Sequence, residues 1–359
     1  MKFVSRLFVV LLSVGIMFAH GDDHDDWFEF HADGVGVLQG SPGYVNSGNE
    51  DAIVNGSFTF HLDANVRPWK SGRFGIEVES GYGRGINNDI QTFSRLNPAI
   101  PHSEFYIEQL WYQHTFADVL KIRAGKIDLT TDFDKNVVAN NKFNQFLSHV
   151  FVNNVGVGFP YHGGYGAMVK FQANHLVDIG AGIVDEELDN WFKNPLVIGE
   201  IGFKPEIADR HGNYRFYAWH SKYSHSCDSD HDHHHEIDPH FGFGLSLDQE
   251  ITDNVFVFAR YGIRNGDHVE LTHSWSTGLN ISGIIPKRQR DVLGMAYSQV
   301  ITDHLNNEHQ FETYYNFKTS KYTNITPNAQ WVKYPGGDGG SSWIFGIRAR
   351  FHIHQGTSD

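Results

Sequence analysis

Between Ser57 and Arg67 hydrophobic and polar residues alternate without interruption. Phe58, Phe60, Leu62, Ala64 and Val66 fall on one side of an extended chain. Ser57, Thr59, His61, Asp63, Asn65 and Arg67 fall on the other. A period of two marks a β-strand with one apolar and one wet face. The pattern returns late in the chain, where Phe345, Ile347, Ala349, Phe351 and Ile353 alternate with Gly346, Arg348, Arg350 and His352. Arginines at successive positions of one face do not fit the dry core of a sandwich. They fit a large barrel that is apolar outside and water-filled inside.

Shorter runs repeat the motif. Phe74, Ile76 and Val78 alternate with Gly75, Glu77 and Glu79; Val257, Ala259, Tyr261 and Ile263 alternate with Phe258, Arg260, Gly262 and Arg264. Similar runs begin at Val177, Phe241 and Leu293. Turn signals separate them: Asn87-Asn88-Asp89, Asn153-Asn154, Asn265-Gly266-Asp267 and Pro335-Gly336-Gly337. No long helical pattern competes. The expected fold is all-β, a transmembrane antiparallel barrel of about 16 strands at roughly 20 residues per strand and connection. Two segments resist: Phe105 to His114 and Tyr214 to His220 carry large residues on both faces, so periodicity assigns them no lipid side.

The N-terminus sharpens the picture. Lys2 and Arg6 precede an apolar stretch from Leu7 to Phe18, and Ala19-His20-Gly21 offers small residues for cleavage. This predicts a signal peptide over residues 1–21 and a single domain over 22–359. No other segment is apolar for the roughly 18 residues a membrane helix needs, so a membrane-resident protein must be a closed barrel. A mean hydropathy of −0.38 is compatible, because alternation hides hydrophobicity, and the 14% aromatic content suits a lipid face with interfacial girdles.

Charge and cysteine narrow the partners. The chain has 28 basic and 42 acidic residues, which argues against nucleic acid. The single cysteine, Cys227, excludes an intramolecular disulfide. It lies in a histidine-rich stretch with His225, His231, His233, His234 and His235. Imidazole and thiolate at this density suit zinc, nickel or copper. No fixed ligand spacing is visible, and the plainer reading is a solvated loop with incidental affinity for divalent metal; no cofactor is expected.

Longer stretches add a resemblance. They include Ile122-Arg123-Ala124-Gly125-Lys126-Ile127-Asp128, then Asp132-Phe133-Asp134-Lys135-Asn136 and Ala139-Asn140-Asn141 before Phe146-Leu147. Gly244-Leu245-Ser246-Leu247-Asp248-Gln249 leads to Phe258-Ala259-Arg260-Tyr261-Gly262, and Arg290-Asp291 to Gly294-Met295-Ala296-Tyr297. Glu312-Thr313-Tyr314-Tyr315, Ile325-Thr326-Pro327-Asn328-Ala329-Gln330, Tyr334-Pro335-Gly336-Gly337 and Gly346-Ile347-Arg348 close the series. In this order and spacing, from about residue 105 onward, the chain resembles the OprB family of carbohydrate-selective outer-membrane porins. The resemblance implies a 16-stranded barrel in the outer membrane and passive uptake of sugars. The partners it implies are sugars, outer-membrane lipid and the barrel-assembly machinery; oligomeric state is not legible. One departure is the tail Gln355-Gly356-Thr357-Ser358-Asp359 beyond Phe351, where such barrels usually end on an aromatic residue.

Under that implication the inward charges become pore-lining candidates: Glu77, Glu79, Arg123, Asp248, Arg260, Arg264, Arg348 and Arg350. Guanidinium groups offer planar donor forks to polyols, and carboxylates accept from adjacent hydroxyls. The polar, irregular stretch from Asp128 to Asn144 is long enough to fold into the barrel, which would bring Asp132, Asp134 and Lys135 to its narrowest point. Two alternatives stand beside the sugar porin: a porin for other small solutes or divalent cations, and a non-channel surface barrel serving as adhesin or receptor. No nucleophile elbow, Walker loop or dinucleotide fingerprint points to an enzyme.

Overall fold

A computed structural model of the protein describes residues 27–43, 52–99, 105–160, 162–186, 193–222, 239–266 and 270–355. The expected signal peptide and the histidine-rich stretch from His225 to His235 lie outside the described residues.

Among the described residues, sixteen strands form one sheet. They are β1 (Phe28–Ser41), β2 (Ile53–Trp69), β3 (Gly72–Gly83), β4 (Tyr106–Phe116), β5 (Leu120–Ile127), β6 (Gly164–Gln172), β7 (Val177–Asp185) and β8 (Leu196–Phe203), then β9 (Arg210–Ser221), β10 (His240–Thr252), β11 (Val255–Asn265), β12 (Leu271–Ser282), β13 (Val292–Thr302), β14 (Glu308–Lys318), β15 (Thr323–Lys333) and β16 (Ser341–Gln355). A two-residue run, Glu206–Ile207, pairs only with the first residues of β9 and belongs to the turn before it. Each strand pairs antiparallel with its sequence neighbour, and β1 pairs with β16 from Phe30↔Gln355 to Gly40↔Phe345. The sheet is therefore closed and leaves no edge, which lipid would not tolerate.

Burial runs opposite to that of a soluble protein. Phe58, Phe345, Ile347 and Phe351 are about half exposed, while Thr59, Ser246, Gln310 and Glu312 on the opposite parity are buried. Apolar side chains on the outside of a closed sheet belong against hydrocarbon. On one rim the strands join through short links, such as residues 70–71 between β2 and β3, and 117–119 between β4 and β5. Ala117 and Asp118 both take positive φ, as a type I′ hairpin turn requires. The opposite rim carries the long connections, 84–105 and 128–163. In outer-membrane barrels generally the short turns face the periplasm and the long connections the outside.

The two segments that periodicity left unassigned have a common cause. In β4 a bulge against β3 shifts the register between Glu77 and Val78, and Trp111 turns inward beneath Arg123, with the guanidinium 4.4 Å from the ring centroid. In β9 Tyr217 and Trp219 also point inward, at 0% and 4% exposure. Gly244, facing Tyr217 on β10, makes this possible, because a Cβ there would run into the phenol ring. Large inward residues look like errors of period until something inside the barrel is found for them to pack on.

Candidate functional site: the lumen and its two inward loops

Two loops fill part of the barrel. The β3–β4 loop buries Ile86, Ile90, Phe93 and Leu96; the β5–β6 loop buries Leu129, Phe133, Val138, Phe146 and Phe151. Phe146 packs edge-on against Tyr314, with centroids 5.0 Å apart, and also touches Phe258 and Phe151. Phe133 joins Tyr217, Trp219, Met168 and Ile198 in a second cluster. The apolar material inside the barrel is loop and inward aromatic wall, the partners that β9 requires.

Charged wall residues hold these loops through their backbones. Arg260 of β11 donates from Nε to Asp134 at 3.1 Å and from Nη2 to the Asp134 carbonyl at 3.0 Å, and it also reaches the Asn140 side chain and the Phe151 carbonyl. Asp134 further accepts from the Asn154 amide at 2.7 Å and from the Tyr217 hydroxyl at 3.1 Å. Burial pushes the Asp134 carboxyl above its ordinary value, opposed by the adjacent Arg260 charge. Glu200 of β8 accepts from the Asp134 amide, and Asp248 of β10 from the Val137 amide. Arg348 of β16 donates to the carbonyls of Lys142 and Gln145, at 2.7 Å each.

Two carboxylates of β14 complete the anchoring. Glu308 accepts from the amides of Phe93, Ser94 and Gly336 and from the Ser94 hydroxyl. Glu312 accepts from the amides of Leu147 and Ser148, at 2.6 and 2.9 Å. Ser148 Oγ in turn meets the carbonyls of Ser94 and Arg95, so the two loops are also tied to each other. Asn153-Asn154, a turn signal in the sequence, serves inside: Asn154 donates to Tyr217 and to the Tyr261 carbonyl and accepts from Ser274.

The anchored loops touch much of the wall, from β2, where Ser57 and Thr59 donate to the Ala99 carbonyl, through Arg123 on β5 to Arg348 on β16. Beside β2–β5 a cavity of about 460 Å³ remains. Its wall carries Glu77 and Glu79 of β3, Glu108 of β4 and Asp128 just past β5; the loop side contributes Arg95, Lys142 and Phe143, and β11 contributes Arg264. His61 lies 2.6 Å from Glu77, His162 lies 3.2 Å from Glu108, and Lys142 lies 3.6 Å from Glu79. Burial pushes the Asp128 carboxyl up to about 6, against hydrogen bonds from Thr130 that favour its charge.

The eleven expected pore residues thus separate. Glu77, Glu79 and Arg264 line the cavity. Arg260, Arg348, Asp134 and Asp248 sit in the seam between wall and loop, with their polar groups on loop atoms. Arg123 pairs with Asp132 at 2.6 Å beneath the loop, and Arg350 pairs with Asp33 on β1. Lys135 is exposed on the loop. Periodicity could not supply Glu108, Asp128, His61 and His162 as a group, because they come from four segments that only the pairing of β2 to β6 brings together. Among the described residues, no group of three or more His, Cys, Asp or Glu side chains is placed to hold a metal ion.

Comparison with known proteins decides the family. Residues 51–353 match the model of the carbohydrate-selective porin, OprB family. The chain belongs to the OprB family. Among curated relatives, this OprB-family chain is similar to porin AaxA of Chlamydia felis (strain Fe/C-56), at 22% identity over 308 residues, covering 80% of this chain and 64% of that protein. Porin AaxA of Chlamydia abortus (strain DSM 27085 / S26/3) is 24% identical over 306 residues, covering 80% and 63%. The chain spans less than two thirds of the length of these relatives. Among solved structures, the high-pH structure of Pseudomonas putida OprB superposes with a TM-score of 0.75 at 17% identity, covering 92% of this chain and 95% of that one. A loop-deletion mutant of OmpT, an outer membrane protein of Vibrio cholerae, gives 0.59 at 13% identity over 91% and 99%. These likenesses establish the fold, a 16-stranded porin barrel, and with the family they imply an outer-membrane location.

Proposed function

We propose that this protein is a passive outer-membrane channel for sugars, and that the β5–β6 loop forms its constriction. The observation that carries the proposal is the cavity of about 460 Å³ beside the anchored loop, with fixed hydrogen-bonding groups on one side and the Phe93, Phe143 and Phe159 side chains among its lining. Polyols are recognised by this combination, since carboxylates and guanidinium groups bind hydroxyls and ring faces stack on sugar C–H. A cavity of this size holds one or two sugar rings. The groups are many and individually weak, as flux requires. Asp132, Asp134 and Lys135 then act through the loop's position, and Glu77, Glu79 and Arg264 act by direct contact. Other small solutes and divalent cations remain the competing cargo.

The test is a blocked-current titration in planar bilayers against mono-, di- and trisaccharides. Reduction of ionic current by the smaller sugars, at millimolar concentration, supports the proposal. Current that no sugar reduces but divalent cations alter supports the competing cargo. Absence of any channel from correctly folded protein supports an adhesin or receptor.

A further inference from the structure

We infer that the cavity sorts carbohydrates by charge, admitting neutral and cationic sugars and turning away anionic ones. The inference rests on the sugar-channel reading above and adds a substrate class to it.

Three observations meet. The first is imbalance: five carboxylates line the cavity, Glu270 joining the four on the β3–β5 side, against the three permanent cations Arg95, Lys142 and Arg264. The excess is two negative charges with the lining histidines neutral, and still one with His61, 2.6 Å from Glu77, protonated. The second is the fate of the arginines that would offset it. Arg260 and Arg348 face inward but are 3% and 2% exposed, with their forks on loop carbonyls, and Arg123 is paired with Asp132. They hold the loop and present little charge to a solute.

The third is fixation. Glu77 is held by both His61 and Gln109, and Glu108 by His162, so the carboxylates cannot swing away from an arriving anion. The low-dielectric loop packed opposite concentrates their field in the remaining opening, as it does in any charged cleft with apolar walls. Glu79, Glu108 and Asp128 are therefore specificity-determining residues for charge, in addition to any contact they make with hydroxyls.

The experiment uses the full chain refolded into proteoliposomes and three hexoses of nearly equal size: glucosamine, glucose and glucuronate. Their uptake is followed at about 0.01 M and about 1 M salt, where the Debye length falls from about 30 to about 3 Å. At low salt glucosamine should enter at least about fivefold faster than glucuronate, with glucose between, and the spread should collapse at high salt. In Glu79→Gln/Glu108→Gln, glucuronate should gain on glucose. Equal rates at low salt, or glucuronate fastest, overturn the inference while leaving the sugar channel standing. Failure of all three to enter a conducting channel overturns the sugar reading instead. The reversal potential of the unaltered protein in a KCl gradient then still decides charge sorting, because cation preference supports it and anion preference ends it. That measurement also serves if the double variant does not fold.

Discussion

Replacing Arg260 by Met tests whether the loop is held as described. The side chain is 3% exposed, and its guanidinium joins three points of one loop: Asp134, Asn140 and Phe151. Met keeps much of the apolar volume but leaves the Asp134 carboxylate buried without its counter-charge. Removing one partner of a buried pair costs about 3–5 kcal/mol. The cost does not fall on the barrel, whose ladders β10–β11 and β11–β12 are unchanged. It falls on the anchored state of residues 134–154, which Glu312 and Arg348 still hold at its middle, through residues 142–148. A loss of that size shifts a two-state loop equilibrium by about two to four powers of ten, enough to populate a displaced loop. Single-channel current should become larger and noisier, and hydrogen exchange should quicken over 134–154 but not in β11. Arg260→Lys should lose less than Met, since it keeps the charge but not the fork. Adding Asp134→Asn to Arg260→Met should recover part of the loss, because Asn tolerates the left-handed backbone at φ 56° and carries no charge. Unchanged conductance and unchanged exchange in Arg260→Met would refute the anchoring.

Other outcomes follow from the same structure. Glu312→Gln should loosen Leu147 and Ser148 and raise current noise, by about 1–3 kcal/mol of weakened charge-assisted bonding, as seen by exchange at those amides. Deleting Thr130–Asn136 should widen the opening and raise unitary conductance, and an unchanged value would remove the loop from the constriction. Ile347→Arg, on the lipid side midway along β16, should cost about 2–4 kcal/mol in urea titrations of vesicle-inserted protein, while Ser276→Ala on the lumen side should cost far less. Asp128 should lose its charge as pH falls through about 6, within reach of Glu77 and Glu108. Because its folded value lies above the ordinary carboxylate value, neutral Asp128 is favoured in the folded lumen from pH 4 to 6, and cation preference in a KCl gradient should decline from pH 7 to 5. A flat profile would remove Asp128 from the conducting path.

The strands were largely legible. The Ser57–Arg67 alternation lies within β2 and the Phe345–Ile353 alternation within β16, because every second residue of a barrel strand must face lipid. The stretch from Asp128 to Asn144 was legible as an inward loop from its length and polarity, although the structure extends it past Asn154. The β3–β4 loop was not foreseen. Its apolar residues Ile86, Ile90, Phe93 and Leu96 have no period of two, and only the knowledge that they lie in a hydrated barrel says they need cover. The same interior explains why Trp111, Tyr217 and Trp219 blurred the alternation of β4 and β9. The direction of Arg260 and Arg348 could be read from parity. What they hold could not, because the partners are backbone carbonyls contributed by a loop more than a hundred residues away in sequence. The cavity wall needed the barrel to be closed before Glu77, Glu108 and Asp128 could be seen as neighbours.

The central claim is that an open, hydrated passage runs beside the loops and lets sugars through without an energy source. Liposome swelling in isotonic sugar measures it directly, on protein whose closed barrel is first established by a gel mobility that changes on boiling. Swelling that is fast in glucose and slows as sugars lengthen is the predicted result. Liposomes that hold their volume in every sugar, with the barrel intact, would contradict it.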